Sequence, residues 1–275
     1  MNVKIYKPID PNLVKLVDYY YFLYQSGNEN SNYFCFPNLT TYMFSFVKNV
    51  NPSIHKQKAI FKSHSKETIS PYLITPFTKP MNIQYEGEIF ELNVSFKPLG
   101  INHFINKNLD AYKKGQFNYF VPDTNFLEDL DTLFKIKDET PMIEGLEKFL
   151  LSRIQRFEHP FLQKAIDHLT KDISVPFSEL SNSLNISQKT LIKHFSTHLN
   201  LRPSEYKRIL RFRLALDKNS ENEITESLTE ISNQADFFDQ AHMIREFRSL
   251  SNHSPKKLLK MITFLEKGKL KWLFQ

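Results

Sequence analysis

Two stretches near the end of the chain carry the same pattern of hydrophobic and polar positions. Ser187–Pro203 (SQKTLIKHFSTHLNLRP) superimposes on Asp239–Pro255 (DQAHMIREFRSLSNHSP) with a shift of 52. Ser187 falls on Asp239, Leu191 on Met243, Phe195 on Phe247, Asn200 on Asn252 and Pro203 on Pro255. Each copy opens on a residue whose side chain can accept from free helix amides. Each keeps apolar positions four apart and stops at Asn-x-x-Pro, where Asn tolerates left-handed backbone and Pro blocks continuation. The spacing predicts one helix of about three turns per copy. The segments ahead repeat too: Phe177–Leu184 matches Leu228–Ala235 with a shift of 51, pairing Leu180 with Ile231, Ser181 with Ser232 and Leu184 with Ala235. Ser227 and Glu230 have capping-box spacing, and Pro176 suits a first helical position. The change of shift puts one extra residue in the second turn, between Ala235 and Asp239. The pattern is helix, short turn, helix, twice, a unit whose second helix can enter the DNA major groove. Pro203–Lys218 reads as a connecting helix with Tyr206, Leu210 and Leu214 on one face and Lys207, Arg208, Arg211 and Arg213 over the rest. Asn219–Glu223 reads as a polar loop.

Residues 1–98 follow another rhythm. Val17–Tyr24, Tyr33–Phe36, Thr41–Val47, Lys58–Lys62, Tyr72–Thr75 and Glu88–Lys97 are short runs of aromatic and β-branched residues, separated by turn signals such as Ser26-Gly27-Asn28 and Asn51-Pro52-Ser53. Strands at this spacing predict an antiparallel sandwich or small barrel. Glu86-Gly87, between Ile83–Tyr85 and Glu88–Lys97, is the clearest hairpin candidate. Helical spacing then returns: Phe126, Leu130, Leu133 and Phe134 within Asp123–Lys135, and Ile143, Leu146, Leu150 and Ile154 within Thr140–Arg156. These helices offer either a dimer contact or a layer packed on their own β-domain. Glu158-His159-Pro160 marks a boundary, with a helix expected over Pro160–Lys171. The tail, Lys256–Gln275, is lysine-rich and ends at Trp272-Leu273-Phe274; a further helix is expected there.

Composition narrows the reading. The chain has 275 residues, 41% of them hydrophobic, enough for real cores. Its single cysteine, Cys35, rules out an intrachain disulfide and a cysteine-based zinc site, and fits a reducing, cytoplasmic setting. The opening MNVKIYKPIDPN has no long apolar run, so neither a signal peptide nor a membrane helix is expected. Residues 156–275 hold 19 Lys and Arg against 14 Asp and Glu, and residues 1–155 hold 17 against 16, so most of the net +6 lies with the repeated helices. A basic half suits nucleic acid. With only 6 glycines there is no Gly-rich phosphate loop. His55, His64 and His103 could meet on a barrel as metal ligands, but lone strand histidines are more often structural. Cys35, in YFCFPN, reads as a buried inert thiol. No catalytic residue, metal ligand or cofactor is assigned.

The repeat resembles the DNA-binding domain of AraC-type (arabinose-regulator) transcription factors. The residues that carry the resemblance are Ile231-Ser232, Phe237, Asp239-Gln240-Ala241-His242-Met243, Arg245, Phe247-Arg248, Asn252 and Ser254-Pro255, with Asp236 and Asn252 standing where the family prefers Gly. It covers about residues 158–262. Phe96–Phe104 (FKPLGINHF) more weakly resembles the end of the cupin-like sensor domain found on such proteins. The resemblance implies an α+β chain: a β-rich, cupin-like sensor domain over 1–122, helical linker or dimerisation helices over 123–157, an all-α domain of two helix-turn-helix units over 158–262, and a basic tail over 263–275. It implies a sequence-specific regulator that binds double-stranded DNA, with a small-molecule effector, RNA polymerase contact and a homodimer as further expectations, and no enzymatic activity. The DNA-contact candidates are Ser187, Gln188, Lys189, Thr190 and Lys193 on the first reading helix, and Gln240, His242 and Arg245 on the second. For His242 a capping or buried role stands beside the reading role; for Arg245, an ion pair with Glu246 or Glu230. Ile192 stands where relatives often carry a polar reader. Two alternatives stay open: a cupin-like metal enzyme with an accessory DNA-binding domain, and a DNA-binding protein that senses nothing.

Overall fold

The computed structural model describes residues 1–39, 42–112, 115–221, 228–265 and 270–274. Strand β1 (Asn2–Tyr6) and helix α1 (Pro11–Leu16) lead into β2 (Val17–Gln25), β3 (Asn30–Cys35), β4 (Tyr42–Lys48), β5 (Val50–His55), β6 (Lys58–Ser63), β7 (Ile69–Ile74), β8 (Met81–Glu86), β9 (Ile89–Phe96) and β10 (Phe117–Tyr119). Helices α2 (Phe126–Phe134), α3 (Glu139–Leu151), α4 (Leu162–Lys171), α5 (Phe177–Ser183), α6 (Gln188–Leu199), α7 (Pro203–Glu221), α8 (Leu228–Gln234), α9 (Gln240–Ser251) and α10 (Pro255–Met261) follow. The chain closes on β11 (Thr263–Leu265) and β12 (Leu270–Phe274). The architecture is the expected α+β one: an antiparallel, cupin-like β-domain and a helical domain with two helix-turn-helix units joined by the long α7.

Two six-stranded sheets form the β-domain, ordered β1-β2-β9-β4-β7-β10 and β11-β12-β3-β8-β6-β5. Among the described strands only β6 and β8 pair in parallel. Tyr19 and Tyr21 of the first sheet meet Tyr33, Tyr85 and Trp272 of the second in an aromatic core between the sheets. The other face of the first sheet packs Tyr20, Phe22, Phe44, Phe46 and Phe96 against α2 and α3. Strands β2 and β9 are therefore covered on both faces. That explains why they read as continuous apolar runs rather than alternating ones. Phe126 of α2 and Phe149 of α3 lie edge-on to Phe46, at 6.1 and 6.0 Å between ring centroids. Both helices thus pack on their own β-domain.

Several expectations change. Glu86-Gly87 does not make a hairpin: β8 pairs with β3 and β6, while β9 pairs with β2 and β4, so the turn carries the chain from one sheet to the other. Gly87 takes φ +82°, and a Cβ there would lie 2.2 Å from Ser63 Oγ. Asn51-Pro52-Ser53, read as a turn, lies inside edge strand β5, where the strand's unpaired side spares Pro52 a ladder bond. On α7 the buried face is Tyr206, Ile209, Phe212, Ala215 and Leu216, with Leu210 and Leu214 only half-buried. The helix also runs on to Glu221, through half of the expected loop; the rest of that loop, and Ser227 of the capping-box pattern, lie outside the described residues. Pro176 is the N-cap of α5 rather than its first residue. Of the helix expected over the tail Lys256–Gln275, only α10 (Pro255–Met261) forms; beyond it comes the hairpin β11–β12, and β12 pairs with β3, placing Trp272 opposite Cys35. Trp272 stacks on Tyr33 at 4.3 Å, which supplies the apolar burial that a tail helix would have lacked.

Candidate nucleic-acid interface

The first helix of each helix-turn-helix unit ends in the same way. In the first, Asn185 has φ 54° and the Ile186 amide donates to Ser181 O at 3.0 Å. In the second, Asp236 has φ 57° and the Phe237 amide donates to Ser232 O at 3.0 Å. A left-handed residue followed by a bond back over five residues is how a helix ends when its last carbonyls must be satisfied. The loop from α8 to α9 is one residue longer than that from α5 to α6, as the two shifts require. Ser187 then accepts from the Thr190 amide at 3.0 Å, and Asp239 from the His242 amide. Both reading helices, α6 and α9, run twelve residues and end on left-handed Asn200 (φ 51°) and Asn252 (φ 63°). Leu191, Phe195 and Leu199 of α6 and Met243, Phe247 and Leu250 of α9 are buried. Phe195 lies edge-on to Tyr206 at 5.7 Å and Phe212 to Phe247 at 4.9 Å, so α7 is the spine on which both units pack.

The outer faces carry the candidate residues. Ser187, Gln188, Lys189 and Lys193 are exposed along α6, with Thr190 half-buried and its hydroxyl 2.8 Å from that of Ser187. On α9, Gln240 and Arg245 are exposed. Glu246 is held by Arg208 of α7. His242 is half-buried: its Nδ1 accepts from the Phe238 amide at 3.3 Å, and its ring sits edge-on to Phe237 at 5.7 Å. With Nδ1 accepting, Nε2 carries the proton. Lys207 and Arg211 make intradomain contacts: Lys207 donates to Val175 O at 3.1 Å, and Arg211 holds Asp236 at 2.7 Å.

Some residues escaped the sequence reading. Phe238, just before α9, is 91% exposed; the signal was a second Phe where the core needs only Phe237. Arg213 leaves the helical domain altogether, donating to Phe36 O at 2.6 Å and Pro37 O at 2.7 Å in the β-domain. Tyr42 OH donates to Leu199 O at 2.6 Å and Asn102 Nδ2 to His198 O at 3.0 Å, so the β-domain also satisfies the end of α6. Burial pulls the Arg213 pKa down to about 10. Its guanidinium lines a cavity of about 70 Å³ between the sheets, with Tyr19, Tyr33, Cys35, Glu91 and Trp272. Glu91 accepts from Ser45 Oγ at 2.6 Å and from Tyr85 OH, and burial holds its carboxyl above the ordinary range. Burial likewise pushes the Cys35 thiol up, in keeping with an inert side chain. Tyr85 lines the cavity, whereas Tyr42, Phe44 and Phe46 belong to the other core. His55, His64 and His103 stand on separate elements; among the described residues the one histidine cluster is His159, His194 and His198. An H-x-x-x-H pair, expected to be absent, is in fact present as His194 and His198, four apart on one helix.

A family model described as a helix-turn-helix domain matches residues 180–261. Residues 180–261 are an AraC-type helix-turn-helix domain. The match takes in the end of α5 and all of α6 through α10, and it supports a DNA-binding transcription regulator. No curated protein matches the chain. Among solved structures, ToxT from Vibrio cholerae is similar at 13% identity, covering 89% of this chain and 98% of that one with a TM-score of 0.48. A protein of Listeria innocua is 20% identical over 37% of this chain and 97% of its own, with a TM-score of 0.34. The AraC-like transcriptional activator CuxR is 13% identical over 78% and 86%, with a TM-score of 0.21. The functional reading rests on the AraC-type domain, not on these likenesses. Among the described residues no helix is long and apolar enough to cross a membrane.

Proposed function

We propose that the chain is a one-component, sequence-specific transcription regulator whose helices α6 and α9 read two adjacent major-groove segments. The observation that carries the reading is the paired geometry: two capped twelve-residue helices on one spine, each with its apolar side buried, with Gln188, Lys189 and Lys193 exposed on α6 and Gln240 and Arg245 on α9. Lys189 and Lys193 serve the first groove, with Gln188 and Thr190 beside them. Gln240, Arg245 and the Nε2 edge of His242 serve the second. Arg and Lys donate to guanine O6 and N7, and Gln pairs with adenine, each good contact discriminating by about 1–3 kcal/mol. Ser187 and the start of α9 present backbone amides to phosphates. Ile192, 47% exposed, and Phe238 offer apolar contact to thymine methyls. In this reading residues 1–122 form the sensor domain, 123–157 its helical layer and 158–262 the DNA-binding domain.

The cavity between the sheets is the site for a small effector. What supports this is Arg213: it lines the cavity yet belongs to α7, the spine that spaces the reading helices. An occupant that contacts Arg213 differently in two dispositions of α7 shifts the balance between them. Binding to a randomised duplex pool, with selection and sequencing at fixed salt, tests the reading. Two short motifs about 34 Å apart, one helical turn, are expected. Arg245→Ala should relax the base preference in the second motif only, weakening binding to the selected site by about 1–3 kcal/mol. Binding without enriched motifs would leave a non-specific DNA binder.

A further inference from the structure

His159, in the segment that joins the β-domain layer to α4, stands against His194 and His198, one turn apart on the first reading helix. His159 Nε2 lies 2.9 Å from His194 Nδ1. The His159 ring centroid is 4.8 Å from that of His194 and 5.0 Å from that of His198. One ring nitrogen from each residue falls within 4.8 Å of the others. The Nδ1 of His198 is buried with no hydrogen-bond partner. Phe157 and Phe161 pack around the rings. Asp110, on the turn Leu109–Tyr112 that packs against α6, supplies the nearby carboxylate. A groove lined by His103, Phe157, Glu158 and His159 opens beside the cluster.

From this juxtaposition we infer that His159, His194 and His198 form a site for a divalent transition ion of the zinc class, with a water or exogenous ligand entering from the groove in fourth position. Three neutral imidazoles and an open position are a recurring zinc set. Metal–nitrogen bonds near 2.0–2.1 Å need the ring nitrogens about 3.3 Å apart in a tetrahedral arrangement, within reach of small rotamer changes here. Ligation through Nε2 moves the single proton of His159 to Nδ1 and gives up its long contacts with the Phe161 and Leu162 amides, at 3.5 and 3.3 Å. The bound ion thereby ties the inter-domain segment to the first reading helix.

The test uses tag-free, full-length, chelator-treated protein, titrated with Zn²⁺ by calorimetry and with Co²⁺ by visible absorption. One equivalent of Zn²⁺ should bind, raising Tm, and Co²⁺ should give the intense visible bands of a tetrahedral site. His194→Gln and His159→Gln should each weaken binding by about 10-fold or more, since even outer partners of a metal site are worth that much, while His55→Gln on exposed β5 leaves it unchanged. His159 lies outside α6, so its variant keeps the test clear of any folding defect in that helix. Absence of saturable binding to the wild type, or binding that survives both substitutions, overturns the site.

Discussion

Glu91 is a carboxyl enclosed by tyrosines. Its hydrogen bonds from Ser45 and Tyr85 favour the charged form, but burial outweighs them and holds its pKa above the ordinary range. The folded chain keeps this proton to a higher pH than the unfolded chain does. Its contribution to stability is therefore full below the ordinary carboxylate pKa and is lost as pH rises through the folded value. Glu91→Gln, which keeps the shape and one acceptor oxygen and removes the charge, should raise Tm at pH 7.5 relative to the wild type, and the gain should shrink toward pH 4. Equal gains at both pH values would show that the proton is not the cause. Nothing in the sequence marked Glu91. A polar residue in a strand run normally faces water, and only a sheet covered on both faces turns it inward. Arg213 escaped for the same reason: it looks like one more basic residue on a helix until the β-domain stands beside it.

At the scale of the element, the reading helices depend on two side chains. Ser187→Ala and Asp239→Ala each remove an N-cap acceptor and should each cost about 1 kcal/mol in urea unfolding. Neither change touches a core position. The caps, the left-handed Asn200, Asn252 and Asp236, and the extra turn residue were legible because each is decided within a few residues of chain. The Glu86-Gly87 turn was misread because its local signal is the same whether the next strand pairs beside the last or crosses to the facing sheet. Pro52 was misread likewise: whether a proline breaks a strand depends on the edge it occupies, which only the assembled sheet decides.

For the whole molecule, one apolar cluster runs from Leu13 in the β-domain through α7 to Ile262, so the two domains share a core. The facing core between the sheets is completed by Trp272, the chain's single tryptophan. Trp272→Ala should cost about 3–5 kcal/mol, read as a lower melting temperature for the β-domain. The same tryptophan reports on the cavity: an occupant should shift its fluorescence, while an unbound compound should not. The tail was the part least legible, because its lysines and scattered apolar residues suit a helix or a strand equally, and its partner β3 lies near the other end of the chain.

That pairing has a consequence for synthesis. Domains generally fold as they leave the ribosome, N-terminal first. Here β12 is made only after the DNA-binding domain, and it is the neighbour of β3, which is made before that domain. The second sheet must wait, with the edge of β3 bare, while the entire DNA-binding domain is translated and folds. The nascent β-domain is thus most open to mispairing until β12 emerges, and that emergence is the moment at which the sandwich can close.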